Sequence, residues 1–178
     1  MLQNETLNTL ATRRSCRGYL PQQIQKEELD AVLNAGTWAP SGMGRQSAVI
    51  VAVQDPQTVA QLSRMNAAVM GGDGDPFYGA PTVLVVLTDR TRGTGLEDAS
   101  LVMGNMLNAA ASLGLGSCWI HRAKEVFATQ EGQALLRRWD VPNAENLVGV
   151  AHCILGYAAP NGQAAPAPRK ENYVIFAQ

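Results

Sequence analysis

The stretch Thr12-Arg13-Arg14-Ser15-Cys16-Arg17 packs three of the chain's fourteen basic residues into five positions, beside a hydroxyl. It closes a short segment, 4–12, in which Leu7, Leu10 and Ala11 share one face at helical spacing. Its counterpart is Pro168-Arg169-Lys170, in a tail rich in Ala, Pro, Gly and Gln. Guanidinium groups grip phosphate through paired donors, and a serine adds a small neutral donor beside them. Two solvated basic clusters would use the same residues. The segment between them therefore decides.

With 178 residues, 46% of them hydrophobic, the chain is expected to form a single domain over 1–178, or one subunit of an intimate dimer. Only 16% of residues are charged, against about a quarter in ordinary domains. That shortage favours a surface partly covered by a second subunit. A net charge of −1 provides no general field for nucleic acid or anionic membrane. No uncharged apolar run approaches the roughly 18 residues of a membrane span, and no signal-peptide pattern opens the chain, so a cytoplasmic protein is expected. Cys16, Cys118 and Cys153 lie far apart without C-x-x-C spacing, and His121 and His152 complete no zinc pattern. Buried thiols are expected at Cys118 and Cys153, with neither disulfide nor metal.

Helical periodicity marks 26–38, 58–70, 96–113 and 124–139, the last with a break expected near Gly132. The segment 96–113 is apolar nearly all round, which suits a helix buried between subunits. Continuous apolar runs at 48–53, 81–88, 117–120 and 147–155 read as strands, the first two covered on both faces. Gly71-Gly72-Asp73-Gly74-Asp75-Pro76 reads as a flexible stretch, either a substrate lid or a plain loop. Residues 160–178, with Pro160, Pro166 and Pro168 and the apolar tip Tyr173-Val174-Ile175-Phe176, read as an extended arm that wraps a partner.

Neither histidine belongs to a recognisable triad, and no dinucleotide fingerprint or P-loop occurs. Phosphate-gripping residues without an acid–base set suggest that a cofactor does the chemistry. Here a resemblance enters. Arg13-Arg14-Ser15-Cys16-Arg17, Ala39-Pro40-Ser41-Gly42-Met43-Gly44-Arg45-Gln46, Gly79-Ala80-Pro81, Leu113 to Ile120 and Pro168-Arg169-Lys170 resemble the FMN-dependent nitroreductase family, in family order over essentially the whole chain.

The resemblance implies an α+β fold: a mostly antiparallel central sheet flanked by helices, in an intertwined homodimer with C-terminal arm exchange and FMN at the interface. It implies that Arg13 and Arg169 bind the FMN phosphate, with Lys170 beside Arg169, while Arg14 and Ser15 reach the phosphate and ribityl side. Arg17 would meet the pyrimidine edge, where a cation stabilises reduced flavin. Pro40, Ser41, Gly42 and Gln46 would approach from the second subunit, and backbone at Ile120 and His121 would face the flavin ring. His121 is a candidate pocket residue or a merely structural imidazole, and His152 reads as a satisfied core histidine. Trp38 and Trp119 either stack near the flavin or pack in the core, and Tyr78 either lines the pocket mouth or packs on the surface. Gly44 stands where many relatives carry Asn, which removes a side-chain contact.

The implied activity is hydride transfer from NAD(P)H through flavin to an electron-poor acceptor, a nitroaromatic or quinone, by a ping-pong scheme without a protein nucleophile. The alternatives are a flavin carrier or sensor without turnover, or the same fold doing flavin breakdown or reductive dehalogenation.

Overall fold

A computed structural model describes residues 2–177. Six helices, α1 (Glu5–Thr12), α2 (Lys26–Thr37), α3 (Pro56–Val69), α4 (Gly95–Ser112), α5 (Ala123–Ala128) and α6 (Gln130–Arg138), accompany four strands among the described residues. The strands are β1 (Ala48–Val53), β2 (Thr82–Asp89), β3 (Gly116–Ile120) and β4 (Leu147–Gly156). They form one sheet in the order β1-β2-β4-β3, antiparallel at every pair.

Alternation along β2 builds two cores from one strand. Val83, Val85 and Leu87 face a layer with Leu62 of α3, Phe127 of α5 and Leu136 of α6. Leu84 and Val86 face Val32 of α2 and Met103 and Met106 of α4. Strand residues alternate between faces, so a strand apolar throughout must be covered on both sides. The expectation for β2 holds. For β1 it does not, since β1 is an edge strand and only its last residue, Val53, is buried. An apolar run does not encode which strand sits at the rim.

Two of the expected helices stand where the sequence placed them, and the boundary within a third needs correction. In α1 no residue is buried, and Leu7 and Leu10 are exposed. In α4 one face, from Ala99 to Ala110, lies on the sheet while Leu96 and Leu101 stay open. The break in 124–139 falls at Thr129, which ends α5 and caps α6 by accepting from the Gly132 amide at 3.0 Å. A β-hydroxyl at a helix start satisfies an otherwise orphaned amide. Gly132 instead permits a close approach, because a Cβ there would stand 2.2 Å from the Val126 carbonyl oxygen.

After α1 the chain extends along the outer edge of β3. Ser15 bridges Ser117 in parallel, and the Cys16 amide donates to the Ser117 carbonyl at 2.9 Å. The tail returns to the same place: Cys16 bridges Gln163, and the Arg17 amide donates to the Gly162 carbonyl at 2.7 Å. Beyond Gln163 no regular element follows among the described residues, as the prolines predict, and Tyr173 to Phe176 are exposed. All three cysteines are buried and free.

Candidate active site

The arginine-rich stretch ends at the mouth of a cavity of about 400 Å³. Arg17 lines it together with Trp119, Ile120 and His121 at the end of β3, and with Tyr78. Strand β3 carries the Trp119–Ile120 backbone to this wall, and the edge pairing of Ser15 and Cys16 brings Arg17 alongside. Three of the expected site residues, Arg17, Ile120 and His121, are thus gathered in one place.

The opposite wall includes Gly72, Gly74 and Asp75, from the stretch read as flexible. It is tied down through Asp75, whose carboxylate accepts from Ser63 Oγ of α3 at 2.5 Å and from the amides of Phe77 and Gly79 at 2.9 and 2.7 Å. This is a formed wall with an anchor on α3.

Pro40, Ser41 and Gln46 line a different cavity, of about 340 Å³, next to Asp98 and Val102 of α4. Their loop is unusual locally: Met43, Gly44 and Gln46 all have left-handed backbone. Asp98 holds it in place. Its carboxylate accepts from the Gly42 amide at 2.8 Å, Ser47 Oγ at 3.0 Å and Thr94 Oγ1 at 3.3 Å. Those donors, the Gly42 amide foremost, keep the acid below the usual carboxylate range. The Ser41 hydroxyl accepts from the Gln46 amide at 2.9 Å, which closes the turn. A side chain at Gly42 would displace Thr94, since a Cβ would lie 2.3 Å from Thr94 Oγ1.

Arg13 and Ser15 are half-buried at the end of α1. Arg14 folds back, its Nη1 donating to the carbonyls of Ala11 and Arg13 at 2.9 and 2.7 Å, the last carbonyls of the helix. Arg169 is exposed on the tail and donates only to its own neighbour Ala167, while Lys170 sits 5.2 Å from the Tyr173 ring centre. One chain therefore carries the expected residues in four places: two cavities, the end of α1 and the tail.

Several residues of this region were missed. Asn66 of α3 is fully buried; its Nδ2 donates to the His121 carbonyl at 2.8 Å and its Oδ1 accepts from Arg122 Nε at 3.3 Å. Four positions after Leu62, it lies on the buried stripe of α3, and a polar residue at that spacing was the available signal. Asp98 was visible only as one more acid in a helix. Trp38 does not join the core of its own chain: it is 78% exposed. Trp119 is half-buried against the α2–α4 core.

His152 lies in the core as expected, but it is only partly satisfied. Its ring is 5.2 Å from Phe77 and 5.9 Å from Phe127, its Nδ1 faces Asn66 Nδ2 at 3.4 Å, and its Nε2 is enclosed without a partner among the described residues. Burial, and secondarily the Arg122 charge, pushes its pKa down to about 3. The unfolded chain takes up this proton near pH 6.5, well before the folded one does, so stability falls as the pH drops from about 6.5 towards 3. Between pH 6 and pH 5 the expected loss is about 1 kcal/mol. Urea titrations at both pH values should show it, and His152→Leu should flatten the difference. An equal difference in the variant would assign the acid sensitivity to other groups.

A model of the nitroreductase family matches residues 10–72 and 66–157. An Archaeoglobus fulgidus relative, provisionally named an NADH dehydrogenase/NAD(P)H nitroreductase, is 31% identical over 157 residues, 86% of this chain and 85% of its own. The crystal structure of a Bacteroides fragilis nitroreductase with bound FMN superposes at a TM-score of 0.90, with 30% identity over 99% of this chain and all of that one. A Desulfitobacterium hafniense nitroreductase with bound FMN reaches 0.88 at 26% identity, again over 99% of this chain and all of that one. Paired with an α+β fold whose four strands run antiparallel between helical layers, these matches establish that the chain belongs to the nitroreductase family.

Proposed function

We propose that the protein is an FMN-dependent NAD(P)H oxidoreductase whose acceptor is a small electron-poor ring compound, a nitroaromatic or a quinone. The observation that carries this reading is a set of cations without anions. Arg13, Arg14 and Arg17 cluster within five residues, yet the only ion pairs among the described residues are Lys26–Asp30 and Arg92–Asp89. Clustered cations without acids, two of them half-buried, suit an anionic ligand, and a flavin mononucleotide offers a phosphate at one end and an electron-accepting ring edge at the other. The residues fit the group. The relatives named above, two of them crystallised with FMN, support the same choice.

FMN, when bound, supplies a two-electron carrier that takes a hydride from NAD(P)H and releases it to the acceptor. A hydride and one proton convert a nitro group to nitroso and water, or a quinone to its hydroquinone. On this reading Arg13, Ser15, Arg169 and Lys170 hold the phosphate, with Arg14 bracing the helix end behind them. Arg17 provides positive charge at the ring's pyrimidine edge, and the Ile120–His121 backbone forms the wall against the ring. Because Pro40, Ser41 and Gln46, on the same loop as Gly42, lie at a different cavity from Arg17 and His121, a complete site needs two copies of the chain, which favours a homodimer. Exposed Leu7, Leu10, Leu96 and Leu101 would be covered in it. No helix among the described residues is long and apolar enough to cross a membrane, and a cytoplasmic setting suits the nicotinamide supply.

The purified protein should be yellow, release FMN on denaturation and oxidise NAD(P)H only when an acceptor is present. A colourless protein that binds no added FMN would overturn the reading. Arg13→Ala and Arg169→Ala should each weaken FMN binding by about 10- to 100-fold, the value of one charge-assisted contact. Fluorescence titration with FMN measures this, and unchanged affinity in both variants would remove the phosphate assignment.

A further inference from the structure

One side chain at the cavity is not absorbed by that reading. Arg122 follows His121 directly and lines the same cavity, with left-handed backbone at φ 72°, a conformation arginine rarely takes. Asn66 accounts for it. The buried amide holds the His121 carbonyl with its nitrogen and Arg122 Nε with its oxygen, so one side chain fixes both the turn and the guanidinium. The two terminal nitrogens of Arg122 have no partner among the described residues, yet they are absent from the enclosed orphan atoms, so they remain accessible on a residue that lines the cavity. The acid nearest in the lining, Asp75, is engaged by Ser63 and the amides of Phe77 and Gly79. Arg122 pairs with no acid among the described residues, and its field reaches His152.

We propose that Arg122, aimed by Asn66, docks an anionic group carried on the acceptor ring, so that the preferred acceptors are carboxylate-bearing nitroaromatics or quinones. This rests on the oxidoreductase reading. A positioned guanidinium with free paired donors matches a carboxylate in plane and spacing. The same donors could meet the diphosphate of NAD(P)H, but that diphosphate is separated from the nicotinamide by a ribose. Arg122 is one residue from the wall against which the reacting ring would lie. A carboxylate attached to the ring itself is the closer match.

The test compares 4-nitrobenzoate with the neutral 4-nitrobenzyl alcohol in the flavin-loaded protein. In Arg122→Gln the ratio of kcat/KM for the acid to that for the alcohol should fall about tenfold. Arg122→Lys should recover much of it. Calorimetric affinity of the oxidised protein for 4-nitrobenzoate should fall by the same factor. Asn66→Ala should lower the ratio as well, because the cation is released from its aim. An equal loss for both acceptors, or an unaltered ratio in a protein that turns both over, would overturn the inference while leaving the oxidoreductase reading intact. Loss confined to the reduction step with NADPH, measured by stopped flow, would overturn it by assigning the cation to the dinucleotide. Wild-type protein that binds no FMN would overturn both.

Discussion

Replacing Gly149 by alanine is expected to destabilise the fold by about 3 kcal/mol or more. Gly149 sits on β4 where the register with β2 shifts: Val86 pairs with Ala151 but Leu87 with Gly149, leaving Val150 as an extra residue. Such a bulge bends the strand and brings its backbone up against a neighbouring element. Here the neighbour is the start of α5. A Cβ on Gly149 would lie 2.2 Å from the Ala123 carbonyl oxygen and 2.4 Å from the carbonyl carbon. Both are backbone atoms of a fully buried residue, so no side-chain rotation relieves the overlap. For a chain of this length the loss corresponds to a Tm lower by roughly 6–12 °C. Ala123 follows closely on the Ile120–His121 backbone proposed to face the flavin ring, so surviving protein should also bind flavin less well. Calorimetry reads the first effect and flavin titration the second. A Tm within 2 °C or so of wild type would mean that α5 moves aside freely.

Removing residues 164–178 should have the other large effect, of opposite character. The tail is fastened to its own chain only as far as Gln163, through the Ala159 and Gly162 backbone and the Cys16 bridge. Beyond it, Arg169 bonds to its neighbour, and Tyr173, Val174, Ile175 and Phe176 are 68–88% exposed. The truncated chain should therefore keep its fold, yet lose FMN affinity by about 100-fold or more as the two cations proposed to hold the phosphate leave together. If the proposed homodimer forms through this arm, truncation should also leave a monomer, because the apolar surface beneath the arm would be uncovered. Light scattering behind a sizing column, with an FMN titration, decides both points. A dimeric truncation with wild-type flavin affinity would reduce the arm to an appendage.

The parts of this structure that were legible in the sequence are those decided by local pattern. A run such as Thr82–Asp89 has no polar face to turn outward, so a doubly covered strand was the one outcome its composition allowed. The family motifs were legible because each combines turn chemistry with a functional residue type. What escaped reading depends on partners far along the chain. Val49 and Val83 are equally apolar, and only the sheet order makes one a rim residue. Gly132 looked like a helix break because glycine usually disfavours helix, but the cap that Thr129 offers lies three residues earlier. Asp75 turned an apparently loose glycine-rich stretch into an anchored wall, through a bond to Ser63 that no local pattern announces. Asn66 and Asp98 hold the two candidate half-sites in shape, and each reads locally as a polar residue on a helix.

The edge pairing of Ser15 and Cys16 has a consequence for how the protein comes into being. Their partners are Ser117, past the middle of the chain, and Gln163, close to its end. During synthesis the arginine-bearing stretch leaves the ribosome well before β3, and it has nothing to pair with until β3 has emerged and Gln163 has followed. Contacts this distant in sequence form late, after the local helices and the β2–β4 pairing give them a surface. The arginine-bearing edge is thus encoded early and assembled late. On the proposed reading, a nascent chain cannot hold its cofactor until Gln163 has been made.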